Sequence, residues 1–170
     1  MAAIGQSDNN YTTVALSRYV TAVASGKKYN YQLMDRIVDA SGKTVKKYKA
    51  DYEDISDTLT DSQWDALHSG MRQVVSTMDR FQGFDIPVAG KTGTAQQTGH
   101  ANHGLFIGYA PYDDPEITIA VRIANGYSSH NAATAARNVI SYYYKETSMK
   151  DIKEMKAAGA NGNIRNSVAD

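Results

Sequence analysis

Between Val88 and Ala124, three runs suited to β-strands follow one another too closely for a crossover helix. They are Val88 to Ala95, Gly104 to Ala110 and Ile117 to Ala124, rich in β-branched residues. A parallel pair would need a connection of about a dozen residues or more. The second and third runs are joined only by PYDDPE, punctuated by two prolines, so they are antiparallel neighbours. The glycine-broken stretch between the first and second, GTAQQTGHANHG, has no helical period and reads as a loop. The expected core is therefore an antiparallel sheet of sequential strands.

Helical patterns flank it. Thr12 or Thr13 caps a helix to about Ser25, with Val14, Leu16, Tyr19, Val20 and Val23 apolar and Gly26 as its stop. In TDSQWDALHSGMRQVVSTM, Thr60 and Gln63 have capping-box spacing. Trp64, Leu67, Met71, Val74, Val75 and Met78 form its core stripe, with His68 partly exposed on the flank. An alanine-rich helix runs from Ser128 or Ser129 to about Tyr144. Its Ala132, Ala135, Ala136, Val139, Ile140 and Tyr143 are expected to lie on the sheet. Residues 31–49 read as a hairpin turning at Ala40-Ser41-Gly42-Lys43. From Lys150 a short helix and then a disordered polar tail are expected.

Composition narrows the function. Eighteen basic and eighteen acidic side chains cancel, so no nucleic-acid partner is expected. The one basic stretch, Gly42 to Lys49, is flanked by Asp39, Asp51, Glu53 and Asp54 and reads as a solvated face. There is no cysteine, hence no disulfide, thiolate metal site or cysteine nucleophile. No apolar stretch approaches the ~18 residues of a membrane span. His100 and His103, without carboxylate or cysteine companions, make a poor zinc site, and no metal or cofactor is expected. His130 falls at a helix start.

Function turns on Lys91. A phosphate-binding loop of the form G-x-x-x-x-G-K-[ST] needs a glycine where this chain has Asp85, and a helix must follow. Neither condition holds. The alternative is acyl transfer: Lys91-Thr92-Gly93 after a strand matches the third signature of serine penicillin-recognising enzymes, beside S-x-x-K and S-D-N. An edge strand offers its backbone to a peptide-like substrate, and Gly93 removes a side chain where that ligand approaches. Lys91 and the hydroxyls of Thr92 and Thr94 would converge on the terminal carboxylate of a D-alanyl-D-alanine stem peptide or a β-lactam.

The ordered series AGKTGTAQ, FIGYAP and ITIAVRIANG, followed by the alanine-rich helix, resembles the C-terminal part of a class B penicillin-binding protein. Upstream, AIGQS…YTTVALSRYVTAVASGKK and GMRQVV resemble that family's helices before the KTG strand, so the likeness spans residues 3 to 146. It departs at Thr13 for a usual proline, at Ala15 for glutamine, and at Gly104-Leu105 where an aromatic often stands. The resemblance implies an α/β (α+β) fold in which an antiparallel sheet carries flanking helices. It implies Lys91 as the catalytic motif lysine, Thr92, Gly93 and Thr94 as substrate-binding residues, and the Thr94 N–H as one oxyanion donor.

An acyl-enzyme needs a nucleophile beside a base. Ser25-Gly26-Lys27-Lys28 matches S-x-x-K and Ser7-Asp8-Asn9 matches S-D-N, yet neither is expected to be catalytic. Ser25 ends a helix instead of starting one, and the order of the motifs is inverted. The chain is expected to hold the transpeptidase portion at 1–147 and a polar tail at 148–170. The parent would cross-link peptidoglycan stem peptides and bind β-lactams on the extracytoplasmic face of the bacterial membrane, while this fragment would be soluble and inactive. A rival expectation is a non-catalytic binding or scaffold module. An uncovered flank of the sheet would also invite a homodimer.

Overall fold

The computed structural model describes residues 10–154. Helix α1 (Thr13–Ser25) starts where the Thr12 hydroxyl accepts the Ala15 N–H at 3.1 Å. It stops at Gly26, whose φ of +65° is left-handed. The chain then rises as β1 (Lys27–Tyr29), turns through β2 (Arg36–Val38) and β3 (Thr44–Lys47), and returns as β4 (Tyr52–Asp54). β1 pairs with β4 and β2 with β3, both antiparallel. The expected hairpin is present, with Gly42 at φ +85°. Its turn is held by Asp39, which accepts the N–H groups of Ser41 and Lys43 at 2.9 and 3.0 Å. Every residue from 31 to 47 is exposed, so the hairpin stands off the body.

Helix α2 (Asp61–Ser76) opens with Gln63 reaching back to the Thr60 N–H at 2.9 Å. Met71 and Val75 are its buried residues. His68, half-buried, places a ring nitrogen 2.9 Å from the Val23 carbonyl and so joins α2 to α1.

The main sheet is β5 (Ala89–Gln97), β6 (His100–Ala110) and β7 (Ile117–Ile123), antiparallel in that order. The expected glycine-broken loop is a correction: both strands continue through it to a tight turn at Thr98-Gly99. Gly99 takes φ +75°, which lets the polar ends keep pairing as far as Gln97 with His100. Backbone hydrogen bonding, which polarity does not reveal, decides this region.

Strand alternation gives the sheet two faces. One packs Ala89 and Tyr109 against Val20, Val23 and Met71 of α1 and α2. The other packs Val88, Phe106 and Ala110 against Ala132, Ala133, Ala136 and Ile140 of α3 (Ser129–Tyr143). The expected α3 face was rotated: Val139 and Tyr143 are about half exposed, at 49% and 51%. Ala133 and Ser129 take the inner positions because small residues allow close approach, here to Gly104, where a Cβ would lie 2.4 Å from the Ser128 carbonyl. The short helix α4 (Met149–Glu154) follows. A cavity of about 660 Å³ opens beside α1, lined by Tyr11, Leu16, Tyr19, Trp64 and Leu67 among others, and none of Lys91 to Thr94 reaches it.

Candidate functional site

Lys91, Thr92, Gly93 and Thr94 lie consecutively on β5, which among the described residues has β6 as its one neighbour, so that among these residues its outer edge is open. They pair with Ile107, Phe106, Leu105 and Gly104 in turn. Alternation sets Lys91 and Gly93 on the face of α1 and α2, and Thr92 and Thr94 on the face of α3. Lysine and threonines therefore flank a single edge from opposite sides. A ligand lying along that edge meets all of them together with the strand's backbone. Lys91 is exposed, and its ammonium donates to the Thr92 carbonyl at 2.8 Å. Lysine carries three donors, so the remaining two are available to an anion.

Two glycines of β5 differ in why they are glycine. A Cβ on Gly90 would stand 2.5 Å from Phe106 Cζ and 2.6 Å from the Ile107 carbonyl. On Gly93 it would meet Leu105 Cβ at 3.6 Å, an ordinary contact. Core packing demands glycine at 90 and leaves 93 indifferent.

The far end of β5 holds a cluster that sequence reading missed. His103, set aside there as a poor zinc ligand, faces Ala95 across the strand pair. Its Nδ1 accepts the Asn125 N–H at 3.0 Å, and its Nε2 lies beside the Gln97 amide and 3.0 Å from Arg122 Nη2. Burial first, then the Arg122 charge, lowers its pKa below the usual histidine value. Strand alternation through GHANHG was the available signal, hidden by treating that segment as a loop. Among the described residues no group of histidines and acids has the make-up of a metal site.

The motif look-alikes separate cleanly from this edge. Ser25 is the last residue of α1, and its hydroxyl donates to the Thr21 carbonyl at 2.7 Å. The Lys28 ammonium pairs with Glu53 across the hairpin stem. Ser7 lies outside the described residues. Ser129-His130-Asn131, another S-x-N match not singled out from sequence, opens α3 on the sheet face that carries Thr92 and Thr94. There Ser129 is buried and Asn131 donates to the Gly126 carbonyl at 2.9 Å. No helix follows Lys91, so the phosphate-loop geometry is absent here.

Comparison with known proteins gives the frame for this edge. The sequence matches the penicillin binding protein transpeptidase domain over residues 1–141. It is 29% identical over 166 residues to the peptidoglycan D,D-transpeptidase MrdA of Haemophilus influenzae, covering 84% of this chain and 25% of that protein. With its Acinetobacter baumannii counterpart it is 36% identical over 102 residues, 49% of this chain and 15% of the other. In structure it resembles penicillin-binding protein A of M. tuberculosis, solved as an imipenem acyl-enzyme complex. There the TM-score is 0.73 at 22% identity, over 83% of this chain and 32% of that one. The chain thus spans about a quarter of the length of the curated MrdA relative from Haemophilus influenzae. With more than half of its residues inside the matched region, the chain belongs to the penicillin-binding-protein transpeptidase family.

Proposed function

We propose that this chain forms the KTG-strand portion of a peptidoglycan D,D-transpeptidase, with Lys91 the catalytic motif lysine and Thr92, Gly93 and Thr94 the substrate-binding residues. The observation that carries the reading is Gly93, an open-edge glycine that packing does not require, set between Lys91 and the two threonines. A stem peptide ending in D-alanyl-D-alanine adds to the edge of β5 as an extra strand. Its terminal carboxylate meets the Lys91 ammonium and the threonine hydroxyls. A serine supplied by the rest of the domain attacks the penultimate carbonyl, forming an ester and releasing the terminal D-alanine. An amine of a second stem peptide then displaces the serine and forms the cross-link. The Thr94 N–H donates to the developing oxyanion, and one such donor is worth about 2.7–4 kcal/mol. A β-lactam takes the same path and stops at the acyl-enzyme.

The transpeptidase names of the two MrdA relatives disfavour a purely scaffolding role. The reading assigns residues 1–147 to the catalytic domain and 148–170 to a polar tail, and places the parent protein on the outer face of the membrane, where its substrate lies. Among the described residues no helix is long and apolar enough to cross a membrane. Self-association through the outer edge of β7 belongs to the same reading. Light scattering that stays monomeric across a wide concentration range rejects that part alone.

The test is covalent labelling by a fluorescent penicillin. The 170-residue chain should take no label, whereas a version extended upstream through S-x-x-K and S-x-N should take one equivalent. Labelling of the short chain that disappears in Ser25→Ala overturns the reading.

A further inference from the structure

β5 ends in a set of contacts that the transpeptidase reading leaves unused. His103 sits opposite Ala95, one residue beyond Thr94. Because its Nδ1 accepts the Asn125 N–H, the single proton of a neutral ring must sit on Nε2. The Gln97 side-chain amide lies against Nε2, its nitrogen nearest, and Nε2–H donates to it once the amide is turned over so that its oxygen faces the ring. Arg122 of β7 puts a fixed positive charge against the same nitrogen. The groups facing the ring are therefore the Gln97 amide from β5, the Arg122 guanidinium from β7 and the Asn125 N–H from the loop before α3. Each is neutral or cationic.

The loop so held is unusual. Asn125 and Tyr127 take φ of +52° and +66°, left-handed values that a bulky tyrosine rarely adopts. The Tyr127 N–H donates to the Asn102 carbonyl at 3.0 Å, and Gly104 admits the Ser128 carbonyl against its backbone. The start of β6 is thus anchored to this loop, and Gln97 connects the end of β5 to the anchor through His103.

We propose that His103 is a positioning residue for the edge strand: as a neutral imidazole it ties Gln97 to Asn125 and thereby holds the backbone around Thr94 in register for a ligand. The inference rests on the reading of Thr92 to Thr94 as ligand-binding. Protonation cuts the tie, because Nδ1 gains a hydrogen and no longer accepts the Asn125 N–H. The imidazolium then stands against Arg122. The root of β5, where Ala89 and Gly90 are buried in the core, has no part in this link.

The test is residue-resolved amide hydrogen exchange on the 170-residue chain at about pH 7.5 and about pH 5, spanning the histidine range. After correction for intrinsic rates, the amides of Ala95 and Gln97 and that of Asn125 should open about tenfold more at the lower pH. Those of Ala89 to Lys91 should change less than about twofold. His103→Asn keeps an acceptor near the Nδ1 position, cannot take a proton and is too short to reach Gln97, so it should keep Asn125 protected at both pH values and leave the end of β5 open at both. His103→Leu should open the strand end at both. Equal protection at the two pH values in the unsubstituted chain overturns the inference, as does an acid response that survives in His103→Asn. Neither result touches the transpeptidase reading, which is judged by acylation of the extended protein.

Discussion

Gly90 lies directly against Phe106: a Cβ at 90 would stand 2.5 Å from the ring's Cζ, closer than any real Cβ contact. Gly90→Ala should therefore destabilise the chain by about 1–3 kcal/mol through overpacking. Gly93→Ala, with 3.6 Å to Leu105, should stay within about 0.5 kcal/mol of the parent. In the extended protein, however, Gly93→Ala should slow penicillin acylation, since a methyl group then projects where the ligand lies. Thermal melts and labelling rates of both variants check the pair. Equal stability losses would remove the case for Gly93 as a ligand-facing glycine.

Lys91 is exposed and bonds to the Thr92 carbonyl. Lys91→Ala should leave the melting temperature nearly unchanged. In the extended protein it should slow acylation by about 10²–10³, the scale of losing a preorganised electrostatic group. Stopped-flow labelling measures this, and an unchanged rate would deny Lys91 its catalytic role.

Tyr109 is 1% exposed, and among the described residues its hydroxyl has no partner. Removing an unsatisfied buried hydroxyl relieves a desolvation cost, so Tyr109→Phe should be neutral or stabilising by about 1 kcal/mol. Burial first, then Tyr112, pushes the phenol up to about 12. The folded state thus holds its proton more tightly than the unfolded chain, whose phenol titrates near 10. The associated stability is complete below that value and fades as pH rises toward the folded one. Urea melts across this window should show an alkaline loss that Tyr109→Phe reduces. Tyr144, raised to about 12 by burial and Glu116, keeps its share.

The β2–β3 hairpin exposes Ile37, Val38 and Val45. With no core of its own, it should open well before the main sheet. Its amides should exchange at least about a hundredfold faster than those of Phe106 and Tyr109, and Val45→Ala should move global stability by less than about 0.5 kcal/mol. Protection of β2 equal to that of β6 would contradict this.

What the sequence determined by itself was local or periodic. Thr12 and Gly26 bound α1 as expected, Gly42 turns the hairpin, and the short PYDDPE link makes β6 and β7 antiparallel, because caps, turns and connection lengths act over a few residues. Lys91 to Thr94 were legible as a motif for the same reason. Tertiary structure decided which side of each element faces inward. α3 turned Val139 and Tyr143 outward because Ala132, Ala133 and Ala136 pack closer to the glycine-bearing strand β6. It likewise drew His103, Gln97, Arg122 and Asn125 together from two strand ends, a third strand and a loop. Alternation through GHANHG could mark that stretch as strand, but which residues meet across the sheet is set by backbone register and not by any residue's immediate neighbours.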